Sequence, residues 1–157
     1  MQPFTIHSKD FQPNTSIPIR HTCSGVDESP ALTWNEPPPG TESFTLICDD
    51  PDAPRAEPWV HWVIFRIPAN VRGLPQNVAK HEELPDGSRQ GKNDFGKVGY
   101  GGPCPPVGHG PHRYFFRLYA LDTLPDLAAG CTKAELLAAI DDHILAETQL
   151  VGTFERA

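Results

Sequence analysis

Between Gly96 and Pro111 the chain carries six glycines and four prolines, and directly afterwards it becomes an aromatic and aliphatic run from His112 to Leu121. The two halves demand opposite backbones. Gly96, Gly99, Gly101, Gly102, Gly108 and Gly110 permit positive φ or close approach, while Pro103, Pro105, Pro106 and Pro111 fix φ and remove donors. The first half is therefore a loop, stiffened by proline and longer than the roughly 12 to 15 residues at which structureless connections become uncommon unless functional. The second half is a strand. Its period of two puts His112, Tyr114, Phe116, Leu118 and Ala120 on one face, and Arg113, Phe115, Arg117 and Tyr119 on the other. His112 and Tyr114 thus share a face at the end of the strand where the loop arrives.

The chain has 157 residues, which suits a single domain over 1–157 with a core that needs no staples. Eighteen prolines and thirteen glycines are spread along it, implying many short elements joined by turns. No apolar run reaches the roughly 18 residues of a membrane span, and Met1-Gln2-Pro3-Phe4 does not open a signal peptide, so the expected location is cytoplasmic and no integral membrane association is expected. Cys23, Cys48, Cys104 and Cys131 are scattered without a Cys-x-x-Cys, and are read as free thiols in a reducing compartment. A net charge of −7 disfavours a nucleic-acid partner.

Read in order, Phe4, Ile6 and Ser8 alternate with polar residues as a short edge strand. Ile17–Thr22 and Ser29–Trp34 are two further strand candidates. Phe44–Cys48 is a continuous apolar run, a central strand that ends on two acids, Asp49 and Asp50. The prolines of Asp50-Pro51-Asp52-Ala53-Pro54 hold a rigid turn. Trp59–Ile67 follows, and strict alternation places Trp59, His61, Val63, Phe65 and Ile67 on one face, with Val60, Trp62, Ile64 and Arg66 on the other. Thr132 and Glu135 form a capping box ahead of a helical stripe of Leu136, Leu137, Ile140, Ile144 and Leu145, and Gln149–Phe154 is the last strand. The sum is a mainly β domain with one or two peripheral helices.

Asp-Pro-Asp is commonly only a turn, and a lone histidine on an apolar face is usually a satisfied core residue. Here three such features sit at strand ends: the acidic turn, Trp59 with His61, and the loop ending in His112-Arg113-Tyr114. Their convergence would make a pocket.

Asp50-Pro51-Asp52-Ala53-Pro54, Trp59-x-His61 and Tyr100-Gly101-Gly102-Pro103-Cys104-Pro105-Pro106-Val107-Gly108, followed by His112-Arg113-Tyr114, resemble the phosphatidylethanolamine-binding protein family. The run His143-Ile144-Leu145-Ala146-Glu147 with Leu150-Val151-Gly152 looks like its prokaryotic, Raf kinase inhibitor-like branch. The resemblance spans nearly the whole chain. It implies a β-sandwich with a central antiparallel sheet, a smaller second sheet and peripheral helices. It also implies a small anion pocket at one sheet end, formed by Asp50, Trp59, His61, His112 and Tyr114, with Pro51, Asp52, Gly102, Cys104 and Pro105 on its rim. The implied ligand is phosphate or phosphoethanolamine-like, with no cofactor. A kinase or protease as protein partner, and a homodimer, are further implications. Many eukaryotic members carry a second histidine where Val60 stands here.

The chemistry of the residues is compatible with such a pocket. Histidines and a tyrosine hydroxyl can donate to phosphate oxygens, whereas Asp50 helps only by orienting a histidine or by meeting a cationic group on the ligand. A hydrolase would use Cys104 or a serine as nucleophile with His61 or His112 as base and Asp50 as orienter, and no Gly-x-Ser-x-Gly elbow supplies the serine. Pro105, however, removes the N–H that an oxyanion hole would need after Cys104. The spacing of Cys104, His109 and His112 is not a metal-site pattern, so no metal is assigned. A protein-interaction module is the remaining alternative, without a recognition signature to identify its partner.

Overall fold

The computed structural model describes residues 2–157, arranged as two antiparallel sheets that face each other across a shared core. In chain order the strands are β1 (Ile6–His7), β2 (Leu32–Trp34), β3 (Ser43–Asp50), β4 (Trp59–Pro68), β5 (Gly73–Leu74), β6 (Arg89–Gln90), β7 (His112–Leu121) and β8 (Ile144–Phe154), with helix α1 (Lys133–Ile140) before β8. The small sheet runs β1-β2-β5 and the large one β6-β4-β3-β7-β8.

The apolar run at 44–48 does become the middle strand. β3 lies between β4 and β7, and all eight of its residues are buried. Phe44, Leu46 and Cys48 enter the core shared with Ile6, Leu32 and Trp34 of the small sheet. Ile47 faces the other way, toward Leu136 and Ile140 of α1. A strand buried on both faces has no polar face to offer, which is why its sequence does not alternate.

The capping box forms as expected: Thr132 Oγ1 accepts from the Glu135 N–H at 3.1 Å, and Glu135 Oε1 accepts from the Thr132 N–H at 2.9 Å. The helix is shorter than its apolar stripe suggests. It ends at Ile140, and Ile144 and Leu145 instead open β8, 38 % and 40 % exposed. Asp141 and Asp142 account for the stop, since two carboxylates at a helix C-terminus oppose its dipole. The strand expected over Ile17–Thr22 is also absent. Pro18 precedes a single 3-10 turn, Ile19–His21, closed by Thr22, whose N–H and Oγ1–H both donate to the Ile19 carbonyl.

Strand β4 departs from strict alternation twice. Phe44 pairs with Ile67 but Leu46 with Ile64, so an extra residue is accommodated near Arg66, whose φ is +59°. Cys48 pairs with Trp62 and its neighbour Asp49 with Val60, which leaves His61 as the extra residue of a second bulge. Trp59, opposite Asp50, and Trp62, opposite Cys48, therefore lie on one side of the sheet and not on opposite sides. Val63 and Phe65 pack under α1 while Trp62, Ile64 and Ile67 enter the inter-sheet core.

β8 is the outer strand of the large sheet, and residues 14–17 add to its edge through Asn14 N–H to Val151 O at 2.7 Å and Ile17 N–H to Thr153 O at 2.7 Å. This approach requires Gly152: a Cβ there would stand 2.6 Å from Ile17 Cγ1 and 2.8 Å from Phe11 Cε2. Gly152→Ala is expected to cost about 1–3 kcal/mol by overpacking, read as a lower urea midpoint with an unchanged slope. A variant as stable as the parent would show that the 11–17 segment is not docked this way.

Candidate functional site

At the end of the large sheet where β3 finishes and β7 begins, a recess of about 190 Å³ is lined by Asp50, Ala53, Pro54, Trp59, His61, Phe95, Cys104, Pro105, Pro106, His112 and Tyr114. Larger clefts of about 580 and 530 Å³ lie beside Pro37–Pro39 and between Arg55 and α1. Chemistry distinguishes the smaller one. Among the described residues three buried side-chain polar atoms lack a hydrogen-bond partner, and two of them, Trp59 Nε1 and Tyr114 OH, belong to residues lining this recess.

Each polar group has a local cause for its position. Asp50 closes β3 and is 3 % exposed; its Oδ1 accepts from the Asp52 N–H at 2.7 Å and its Oδ2 from His112 Nδ1–H at 2.7 Å. A carboxylate on Nδ1 fixes the His112 tautomer and ring orientation. The other ring nitrogen, Nε2, meets His109 Nδ1 at 2.6 Å. His61 is placed by the bulge. Having no partner on β3, its carbonyl accepts the Gly101 N–H at 2.9 Å, and its Nδ1–H donates to Gly101 O at 2.7 Å. The ring lies edge-on to Tyr114 and Phe95, at centroid distances of 5.2 and 5.5 Å.

Burial pushes the His61 imidazole below its ordinary value, only partly offset by the Gly101 carbonyl and the Asp50 charge, so the ring is held neutral. With Nδ1–H given to Gly101, Nε2 is left as an acceptor. Burial, reinforced by the Asp50 carboxylate, raises the Tyr114 phenol and keeps it a neutral donor.

The glycine- and proline-rich loop is strapped to the 20s segment. Tyr100 O–H donates to His21 O at 2.6 Å, the Gly102 N–H donates to Asp27 Oδ1 at 2.7 Å, the Cys23 N–H donates to Pro103 O at 3.0 Å, and Cys23 and Cys104 form a disulfide. Four free thiols were expected; the bridge leaves two, Cys48 and Cys131, both buried. The separation of 81 residues conceals the pairing, because only the fold brings the two segments together. Cys104 accordingly has no thiolate to offer a nucleophilic or metal-binding role.

Of the residues expected around the pocket, Asp50, Trp59, His61, Cys104, Pro105, His112 and Tyr114 converge on the recess, whereas Pro51, Asp52 and Gly102 do not line it. Asp52 turns outward to Arg113, accepting from its N–H, Nε and Nη2 at 2.9 Å each, and this guanidinium holds its carboxyl below the usual range. Gly102 packs where a side chain would collide with His21 O and Asp27 Oδ1. Sequence reasoning missed Ala53, Pro54, Phe95 and Pro106 as lining residues. The signal available for Phe95 was its place, an aromatic directly before Gly96 where the loop begins. His109 was weighed only as a metal ligand.

The family profile described as phosphatidylethanolamine-binding protein matches residues 7–155. The chain belongs to the phosphatidylethanolamine-binding protein family. A UPF0098 protein of Methanothermobacter thermautotrophicus is 52 % identical over 146 residues, covering 93 % of this chain and 95 % of the relative. Among solved structures, Escherichia coli YbcL superposes with a TM-score of 0.92 at 34 % identity, covering 99 % of this chain and 100 % of YbcL. The homolog CT736 of Chlamydia trachomatis does so with a TM-score of 0.90 at 35 % identity over 100 % of both chains. The two-sheet architecture of this family member is thus that of its solved relatives. No helix among the described residues is long and apolar enough to cross a membrane.

Two outcomes follow for the site's scaffold. Reducing the Cys23–Cys104 bridge should lower stability by about 2–4 kcal/mol, since it closes a long loop, and matched denaturation curves with and without a dithiol reductant would show otherwise if they coincided. Unfolded histidine titrates near pH 6.5 and folded His61 lower, so below about pH 6.5 the unfolded chain binds a proton that the folded protein refuses, and stability falls. The slope of unfolding free energy against pH between about 6.5 and 5 should be shallower in His61→Gln than in the parent; parallel slopes would contradict the assignment.

Proposed function

We propose that the protein is a non-enzymatic receptor for a small phosphate-bearing anion, held in the recess at the end of β3 and β7. The observation that carries this reading is the pair of orphaned donors, Tyr114 OH and Trp59 Nε1, on the lining of the recess. A buried donor without a partner costs roughly 1–3 kcal/mol, and a ligand oxygen removes that cost. His112, aimed by Asp50, adds a donor whenever its Nε2 carries a proton.

Asp50 acts in this reading by orienting His112, not by meeting a ligand cation. His61 Nε2 is the acceptor for whatever donor the ligand carries, a P–OH or an ammonium group, which suits phosphate and phosphoethanolamine alike. The recess is smaller than the 300–1,000 Å³ of drug-sized sites, so it takes a headgroup-sized anion. Regulation of a kinase or protease would follow only as a consequence of occupancy. The cytoplasmic location loses its thiol argument, because the Cys23–Cys104 bridge favours an oxidising environment.

Calorimetric titration of phosphate and O-phosphoethanolamine at pH 6 and pH 8 tests the reading with Tyr114→Phe. That variant should be as stable as the parent or slightly more so without ligand, since it removes an unpartnered hydroxyl, yet bind about tenfold or more weakly, as expected for loss of a hydrogen bond to a charged group. Equal affinities in variant and parent, or no binding at pH 6, would overturn the proposal.

A further inference from the structure

His112 has two ring nitrogens, and both are engaged: Nδ1 by Asp50 Oδ2 at 2.7 Å and Nε2 by His109 Nδ1 at 2.6 Å. In the neutral ring, with the Nδ1 proton given to the carboxylate, Nε2 accepts and His109 donates. Toward an anion the same Nε2 must be the donor. His109 therefore occupies the one His112 atom available to a ligand, with the hydrogen-bond polarity opposite to that which an anion requires.

The residue is mounted so that it can leave. It is exposed, at the tip of the loop between Gly108 and Gly110, which have φ of +77° and +85°. No heavy atom lies within 4 Å of where a Cβ on either glycine would stand. The backbone beneath the tip is fixed by the Gly108 N–H to Arg156 O at 2.9 Å and the His109 N–H to Pro106 O at 3.1 Å. A side-chain rotation alone frees the ring, and rotamer changes of exposed side chains are fast. The rings of His109 and His112 meet edge to face at 4.8 Å between centroids, and their polar contact is the one hydrogen bond.

We propose that His109 is a latch on the pocket: it holds His112 Nε2 in the ligand-free protein and competes with the anion for it, so that binding displaces the His109 ring. This inference rests on the anion-receptor reading above. The charged and titratable groups around the latch are Asp50 from β3 and Asp52 from the following turn, His61 from β4, Arg113 and Tyr114 from β7, and Arg156 from the C-terminal segment. Of these only Asp50 bonds the His112 ring. Substituting His109 thus removes a competitor and leaves the Asp50-oriented donor in place.

The test compares inorganic phosphate binding to the parent and to His109→Ala at pH 7, together with long-range proton–nitrogen NMR of the histidine rings without phosphate. The latch predicts tighter binding by the variant, by about two- to twelvefold, the worth of one competing hydrogen bond of about 0.5–1.5 kcal/mol. It also predicts the Nδ1–H tautomer for both His109 and His112 in the ligand-free parent, with the His112 Nε2 resonance shifting in His109→Ala. Unchanged or weaker phosphate binding by the variant overturns the latch and makes His109 a spectator or a ligand contact. An Nε2–H tautomer for ligand-free His109 overturns it independently of phosphate. If neither protein binds phosphate even at pH 6 while the tautomers are as predicted, the anion-receptor reading fails, and the competitive role falls with it.

Discussion

Two consecutive carboxylates end the most buried strand of the protein, and the arrangement of both layers depends on how they are neutralised. Asp49 and Asp50 are 1 % and 3 % exposed and point to opposite faces of the large sheet. Asp49 takes Arg117 from β7, with Nη2 at 3.1 Å, and Lys133 from the first turn of α1, with Nζ at 2.8 Å. On the other face Asp50 takes His112 from β7 and the Asp52 N–H from its own turn. Removing one partner of such a buried pair typically costs about 3–5 kcal/mol, because the other charge is left without compensation. One acid therefore fastens the helix to the sheet and the other sets the geometry of the recess.

Some of this was legible in the sequence and some was not, for definite reasons. The period of two placed His112 and Tyr114 together because β7 is regular over their stretch, and Thr132 with Glu135 announced the helix start because a capping box is entirely local. The bulge at His61 was not legible. A single extra residue leaves no mark on a hydrophobic pattern, yet it reverses the phase of everything beyond it, which is why Trp62 turned out on the same side as Trp59. Ile17–Thr22 reads as a strand by composition, but the 3-10 turn depends on Pro18 and on the Thr22 hydroxyl closing back on Ile19. Ile144 and Leu145 fit a helical stripe equally well, and only the charges at Asp141 and Asp142 mark the break. The disulfide depended on tertiary structure alone.

The loop from Gly96 to Pro111 gains its order from outside itself. It has little regular structure, so its backbone groups must find partners elsewhere, and they do so at Cys23, Asp27, His61 and Arg156. The prolines lower the entropy that must be lost to hold this path, and the disulfide lowers it further. Gly101 and Gly102 allow the chain to pass close enough for Gly101 to hold both the backbone and the ring of His61. A glycine-rich segment that would be mobile in isolation becomes a rigid wall, and a site with a rigid wall loses less entropy when a ligand arrives.

That rigidity explains where the protein tolerates imperfection. The large core side chains Trp62, Phe44, Phe65 and Phe116 are fully buried, and Trp62 Nε1 finds Gln90 Oε1 at 2.7 Å. Tyr114 is equally buried, but its hydroxyl has no partner, and neither does the indole N–H of Trp59. The contrast is one of position: Trp62 and Tyr114 both belong to the inter-sheet core, but only Tyr114, with Trp59, also lines the recess. A fold selected only for stability would pair these donors or replace them with phenylalanine. Their presence on a rigid wall is the feature on which the proposed ligand site rests.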